Sequence, residues 1–312
     1  MCAPESKFMI KKLFYLCLPL VLFVLLTSCI KEDYDDCERC KLTFTYTGDE
    51  SHDIFPQKIT CVSLFVFDKN DCLVQTKRIE QNDLKAYQGT KLNLGPGTYR
   101  IVGVGNDYDL SEVTGTSNND MSRVIVHHPN ALSGGLIEGN DSLYLGQKTI
   151  TIPSTYWYQD EVAFRSSHLK VSYTVKGYIE TSPELATRAQ SRLELRVHNL
   201  LPQIDFNNRA HGKTVTYDPE LKFHPDGAIH QGYFNILRHA KDSDVEFELV
   251  DKSSGEVVHT LKLKDFLAKY PQIDVTKQEV LIPIIVEFKN MDVTVTIPDW
   301  MIHDITPDYE KQ

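Results

Sequence analysis

His168-Leu169-Lys170-Val171-Ser172-Tyr173-Thr174-Val175-Lys176 alternates without a break. Leu169, Val171, Tyr173 and Val175 fall on one side and Lys170, Ser172, Thr174 and Lys176 on the other, which is the two-residue period of a strand with one buried face. Leu193, Leu195 and Val197 repeat the pattern, as do Val245, Phe247 and Leu249, with a turn at 251–255. Towards the N-terminus, 42–47, 59–67, 73–79 and 90–94 are short, rich in β-branched and aromatic residues, and bounded by turn residues. In the second of these, Val62, Leu64 and Val66 face one way while Cys61, Ser63, Phe65 and Phe67 face the other. A strand apolar on both sides belongs in the middle of a sheet. Asp68-Lys69-Asn70-Asp71 turns it into a hairpin, and Leu94-Gly95-Pro96-Gly97-Thr98-Tyr99 is a second tight turn, from which Tyr99 opens a strand through Ile101 and Val104. The pattern weakens over 107–158 into Gly-, Ser- and Asn-rich sequence with one strand at 143–152, and Tyr156-Trp157-Tyr158 closes a first domain. Later, 264–270 reads as a helix ended by Pro271. The last strands are 280–288, where Pro283 implies an edge or bulge, and 292–297, stopped by Pro298. The expectation is an all-β chain of two tandem β-sandwich domains, 41–160 and 161–312.

The N-terminus has a different character. Lys11 and Lys12 precede an apolar run at 13–26, followed by Leu26-Thr27-Ser28-Cys29. The run has the length of a signal-peptide core and falls short of the roughly 20 residues of a membrane span. Met9-Ile10-Lys11-Lys12 is already a complete n-region, so Met9 is a second candidate start. Small residues before a cysteine suit a peptidase that leaves Cys29 as the first residue, its thiol acylated and its freed amine acylated in turn, with palmitate-type chains. The reading is therefore a signal peptide at 1–28 and a lipidated, acidic tether at 29–40, an extended linker in which Lys31, Glu32, Asp33, Asp35 and Asp36 also resemble the export signal that sends Bacteroidota lipoproteins to the outer face of the outer membrane. A covalent lipid on Cys29 is the only prosthetic group expected.

Loss of residues 1–28 removes three lysines and one glutamate, so 30 basic face 42 acidic residues in the remainder. An acidic surface of this kind argues against a nucleic-acid partner and against polybasic attachment to anionic lipid. Cys2 and Cys17 leave with the signal peptide, so Cys37, Cys40, Cys61 and Cys72 remain as free thiols or as disulfides with three possible connectivities. Cys37-Glu38-Arg39-Cys40 has redox spacing without the strand-helix-strand setting such a site requires. There is no Gly-x-Ser-x-Gly, no phosphate-binding loop and no His-Glu-x-x-His. His127-His128, and His224 with His230, lack a third ligand in register, so no metal is expected. Asp68-Lys69-Asn70-Asp71 begins like a calcium loop but continues with Cys72 and Leu73, and reads as a turn.

Cys29-Ile30-Lys31-Glu32-Asp33-Tyr34-Asp35-Asp36-Cys37, Leu42-Thr43-Phe44-Thr45-Tyr46, Val62-Ser63-Leu64-Phe65-Val66-Phe67-Asp68-Lys69-Asn70, and Pro96-Gly97-Thr98-Tyr99 before Gly105-Asn106 together resemble the fimbrillin-associated anchor proteins of Bacteroidales. The resemblance is carried by the N-terminal domain; the C-terminal half matches in strand pattern only. It departs at Gly103 and Val104, where the family places an aromatic residue near the end of the strand. It implies two transthyretin-like sandwiches, no catalysis, exposure on the outer membrane, and a part in attaching a fimbria to the cell and limiting its growth. The partner it implies is a fimbrial stalk subunit, which we expect to be joined by β-strand addition through 280–297, where Val293, Val295 and Ile297 offer an alternating apolar face. The rival expectation is a surface glycan-binding lipoprotein with Tyr156, Trp157 and Tyr158 as its aromatic platform.

Overall fold

The computed structural model describes residues 39–118, 120–154, 157–178, 191–224, 229–289 and 292–302. The expected signal peptide, and the tether up to Glu38, lie outside these residues. The strands before Ser167 are β1 (Cys40–Thr45), β2 (Val62–Asp68), β3 (Leu73–Ile79), β4 (Gly89–Leu92), β5 (Gly97–Gly105), β6 (Glu112–Thr114), β7 (Ile125–His127), β8 (Tyr144–Ile152) and β9 (Tyr158–Ser166). After it come β10 (His168–Lys176), β11 (Leu193–Leu200), β12 (Gln203–Asp205), β13 (Ala210–His211), β14 (Val215–Tyr217), β15 (Lys222–His224), β16 (Ile229–Leu237), β17 (Glu246–Asp251), β18 (Val257–Lys262), β19 (Leu281–Lys289) and β20 (Asp292–Thr296). Short helices α1 (Phe55–Lys58), α2 (Gln81–Ala86), α3 (Leu263–Lys269) and α4 (Asp299–Ile302) join them.

In the N-terminal half seven strands follow the order β3-β2-β5-β8-β9-β1-β4. The sheet curls so that its outer strands come within side-chain reach: Lys77 Nζ on β3 donates to the Lys91 carbonyl on β4 at 2.9 Å. Strand β9 makes the bend. Its last residues pair with β8, while 158–163 run parallel to β1. The enclosed core holds Leu42, Phe44, Val62, Leu64, Val66 and Phe164. The Asp68 turn forms as expected. Asp71 N donates to the Asp68 carbonyl at 3.1 Å, Asp71 takes φ 60°, and the Asp68 carboxylate accepts from the amides of Asn70 and Cys72.

In the C-terminal half two sheets, β15-β16-β10-β19-β20 and β14-β11-β17-β18, face each other across one core. The inward row Leu169, Val171, Tyr173 and Val175 lies in that core, where the Tyr173 ring stacks on Phe247 at 5.7 Å. Helix α3 buries Leu263, Phe266 and Leu267 in the same core, and ends at Lys269, two residues before Pro271. Strand β19 pairs with β10 along 281–287 but with β20 only from Ile285 onward, so Pro283 sits where a second ladder is not asked of it. The fold is all-β and built as sandwiches.

A third layer joins the halves. The order β13-β12-β7-β6 sets β12, from the C-terminal half, antiparallel to β7, from the N-terminal half, with Ile204 opposite Val126. This small sheet covers the outer face of β2, β5 and β8, where Phe65, Phe67, Val102, Val104 and Leu145 meet Ile204 and Phe206. The two apolar faces read from 61–67 are thus both buried, and the second is covered by sequence some 140 residues away. The division placed at 160/161 falls inside β9; the chain passes between the halves at Ser167, whose amide donates to the Leu143 carbonyl and whose carbonyl accepts from Arg238.

Candidate functional site

Cys29, Lys31, Glu32, Asp33, Asp35, Asp36 and Cys37 lie outside the described residues. The chain enters the fold beside Trp157: β1 starts at Cys40 in register with Tyr158, whose amide donates to the Arg39 carbonyl at 2.9 Å. Cys40, Cys61 and Cys72 are free thiols, with no disulfide among the three. Burial, and then the charge of Asp160, pushes the Cys40 thiol up to about 11. Burial also raises that of Cys61, against the opposing pull of Arg78, whose Nη2 lies 3.1 Å from the sulfur. Cys72 is half-buried in the Asp68 turn.

The histidines noted for metal are engaged within the fold. His127 holds Thr114 Oγ1 at 3.2 Å and the His128 carbonyl at 2.8 Å with its two ring nitrogens, and His128 Nδ1 accepts from Asn130 N at 3.0 Å. His230, fully buried, has Nδ1 2.6 Å from Ser191 Oγ and Nε2 3.3 Å from the Tyr178 carbonyl. That Ser–His contact has nucleophile spacing. Ser191 Oγ, however, also accepts from Leu193 N, and the pair closes on a backbone carbonyl where an activated serine needs an orienting carboxylate. The side chain of His224 is outside the described set. Among the described residues no cluster of three or more His, Cys, Asp or Glu is arranged for a metal.

The expected aromatic platform is divided. Trp157 is exposed, while Tyr158 packs against the N-terminal core and donates to Asp160 at 2.6 Å; Tyr156 is not among the described residues.

The expected strand-addition stretch closes the second sandwich. Ile297 is buried and Val295 packs on the core, leaving Val293 exposed. Strand β20 is the outer strand, and its Val295 carbonyl accepts from both Lys269 Nζ and Tyr270 OH at 3.0 Å, so the end of α3 covers that edge.

A dense polar cluster unforeseen from sequence lies between the halves. Glu279, on the segment leading into β19, accepts from Tyr46 OH at 2.7 Å, Lys58 Nζ at 2.6 Å and Tyr144 OH at 3.1 Å, with Lys170 Nζ 3.6 Å away. Burial raises its carboxyl, but these donors and cations outweigh it and bring the group down to about 2. Asp49 accepts from the amides of Gln278 and Glu279. Arg238 spends its guanidinium on the carbonyls of Ser166, Val275, Lys277 and Gln278. Nothing in the local pattern marks Glu279, because its partners lie some 110 to 230 residues away in sequence.

Among the described residues no helix is long and apolar enough to cross a membrane. No curated protein matches the chain. Solved structures share its fold. An adhesin-like protein from Bacteroides ovatus matches with a TM-score of 0.67 at 19% identity, covering 87% of this chain and 96% of its own. One from Bacteroides thetaiotaomicron matches with 0.63 at 18%, covering 84% and 96%. The fimbrial anchor protein Mfa2 from Porphyromonas gingivalis matches with 0.61 at 14%, covering 82% and 94%. The sequence profile of the fimbrillin-A associated anchor proteins Mfa1 and Mfa2 matches residues 34–306, through both halves and the sheet that joins them, and the chain belongs to that family.

Proposed function

We propose that this chain is a non-enzymatic, lipid-anchored protein of the outer membrane, exposed at the cell surface, that holds a fimbria to the cell and takes part in its assembly or length control. The observation that carries the reading is the membership of residues 34–306 in the anchor family, immediately behind a lipidation sequence at Cys29. The acidic residues Glu32, Asp33, Asp35 and Asp36 then serve as export signal and spacer, and the fimbrial stalk subunit joins by β-strand addition. The fold offers the means: halves joined by a shared sheet, with sheet edges as their most directional surfaces.

Cys29→Ala tests the anchor. With a clickable fatty acid in the medium, wild type is labelled and the variant is not, and fimbriae leave the variant cells for the culture supernatant. Equal labelling, or fimbriae retained as in wild type, overturns the reading.

A further inference from the structure

One outer strand, β14, has a surface groove beside its edge. Strand β14 is the outer strand of β14-β11-β17-β18. A surface groove of about 500 Å³ runs beside it, bounded by Val215 and Thr216 on one side and by Gly134, Gly135 and Leu136 on the other. The far wall is a preformed loop: Asn130 Nδ2 donates to the Leu136 carbonyl at 2.7 Å, and Gly134 N donates to the Asn130 carbonyl at 3.1 Å. The groove ends where Asp218 N donates to the Ile137 carbonyl at 2.7 Å, a single ladder-like bond beyond which the loop swings away from the strand. That bond fixes the phase of the edge. Backbone groups alternate sides along a strand, so Thr216 turns its N–H and C=O the same way as Asp218 N, into the groove. Val215 and Tyr217 are the residues in register with β11.

The groove also has a charge preference. Asp218 stands between it and a second groove that holds Glu138, Glu194, Glu220, Arg196 and Lys252. Arg196 is bound to Glu194 at 2.6 Å and to Glu248 at 3.4 Å, and Lys252 donates to the Ser191 carbonyl. The half-buried Asp218 carboxylate has neither a hydrogen bond nor an ion pair within bonding distance among the described residues; burial and then the charge of Glu194 raise its pKa, against the opposing pull of Arg196 and His198. Leu136, exposed on the rim of both grooves, supplies an apolar contact.

We propose that the β14 edge and the 130–137 loop form the acceptor groove for one extended strand of the fimbrial subunit, a strand that presents a lysine or arginine to Asp218. The inference rests on the anchoring function proposed above and names its docking site. The incoming strand exchanges backbone hydrogen bonds with Thr216, lays alternate side chains against Val215 and Leu136, and extends the sheet to five strands.

The test uses the mature chain in detergent and a fluorescent synthetic peptide of alternating threonine and valine with a central lysine, beside its twin with a central glutamate. The lysine peptide binds and is preferred by about fivefold, the worth of one partly screened ion pair. Asp218→Asn removes the preference. Thr216→Pro, which deletes the outward N–H, weakens binding by about tenfold. Should Thr216→Pro not fold by circular dichroism, Leu136→Asp on the exposed loop serves in its place and gives the same loss. Equal binding of both peptides, no binding of either, or unchanged binding by the folded Thr216→Pro or Leu136→Asp variant overturns the proposal. On cells, Thr216→Pro protein remains acylated and surface-exposed while fimbriae are shed. If instead deleting the whole gene leaves fimbriae cell-bound, it is the anchoring function that fails.

Discussion

Gly103 on β5 and Gly146 on β8 stand opposite each other in register, and the side chains they lack leave the slot that the Phe164 ring fills. A Cβ on Gly103 would come within 2.7 Å of Phe164 Cζ, and one on Gly146 within 2.9 Å of Phe164 Cδ2. Gly103, where the family resemblance expects an aromatic residue, thus leaves room for a ring from another strand: Phe164 on β9, in register with Gly146 on the neighbouring β8, fills it and packs edge-on against Phe44 and Phe55. Gly103→Ala is expected to cost about 1–3 kcal/mol through overpacking. Phe164→Leu costs a similar amount through the smaller volume, but the double variant loses less than the sum because each change relieves the other. Urea midpoints of the four proteins check this. Strict additivity would show that the ring has another place to go.

At the scale of elements, strands whose inward positions were all large and apolar were legible, and strands whose inward positions were not were missed. Strand β10 shows the first case. Strand β16 shows the second: its inward row is His230, Gly232, Phe234 and Ile236, so two of four core positions carry a polar ring or no side chain, and the alternation disappears from the sequence. Strand β9 was hidden by Asp160-Glu161 within it, and its pairing with both β8 and β1 explains why the boundary expected at 160/161 falls inside a strand. The segment into β19 was read as the start of a strand, without the carboxylate that ties it down. Glu279 has its folded pKa depressed to about 2, below the 4.5 of a free side chain, so it stabilises the fold above pH 4.5 and loses that contribution as pH falls towards 2. Glu279→Gln should therefore lower stability at pH 7 by on the order of 2 kcal/mol, with the gap to wild type closing between pH 4.5 and 2. Thermal melts across that range decide it; a gap independent of pH would mean that shape, not charge, holds the segment.

For the whole molecule, the sheet that joins β12 to β7 makes the halves depend on each other. Phe206 packs on Phe65 at 5.4 Å and on Phe67 at 6.0 Å, across the division in the sequence. Phe206→Ala should cost about 3–5 kcal/mol and should accelerate amide exchange in β2 and β5 as well as in β12. Exchange confined to β12 would show that the N-terminal half holds its own outer face. Lateral pairing across such distances has no local periodicity to betray it, which is why an all-β sandwich fold could be read from the strands and the stitch between the halves could not. The direction of β1 has a mechanical side. It lies between β9, parallel to it, and β4, antiparallel, with Cys40 paired on both flanks. If the chain is held by the lipid proposed at Cys29 and pulled through its fimbria, the load enters the described fold at the start of β1. Under tension along its axis the hydrogen bonds on both flanks are strained in shear and must give way together, instead of peeling one at a time as at a hairpin's end, so the first strand of the fold meets such a load in its strongest orientation.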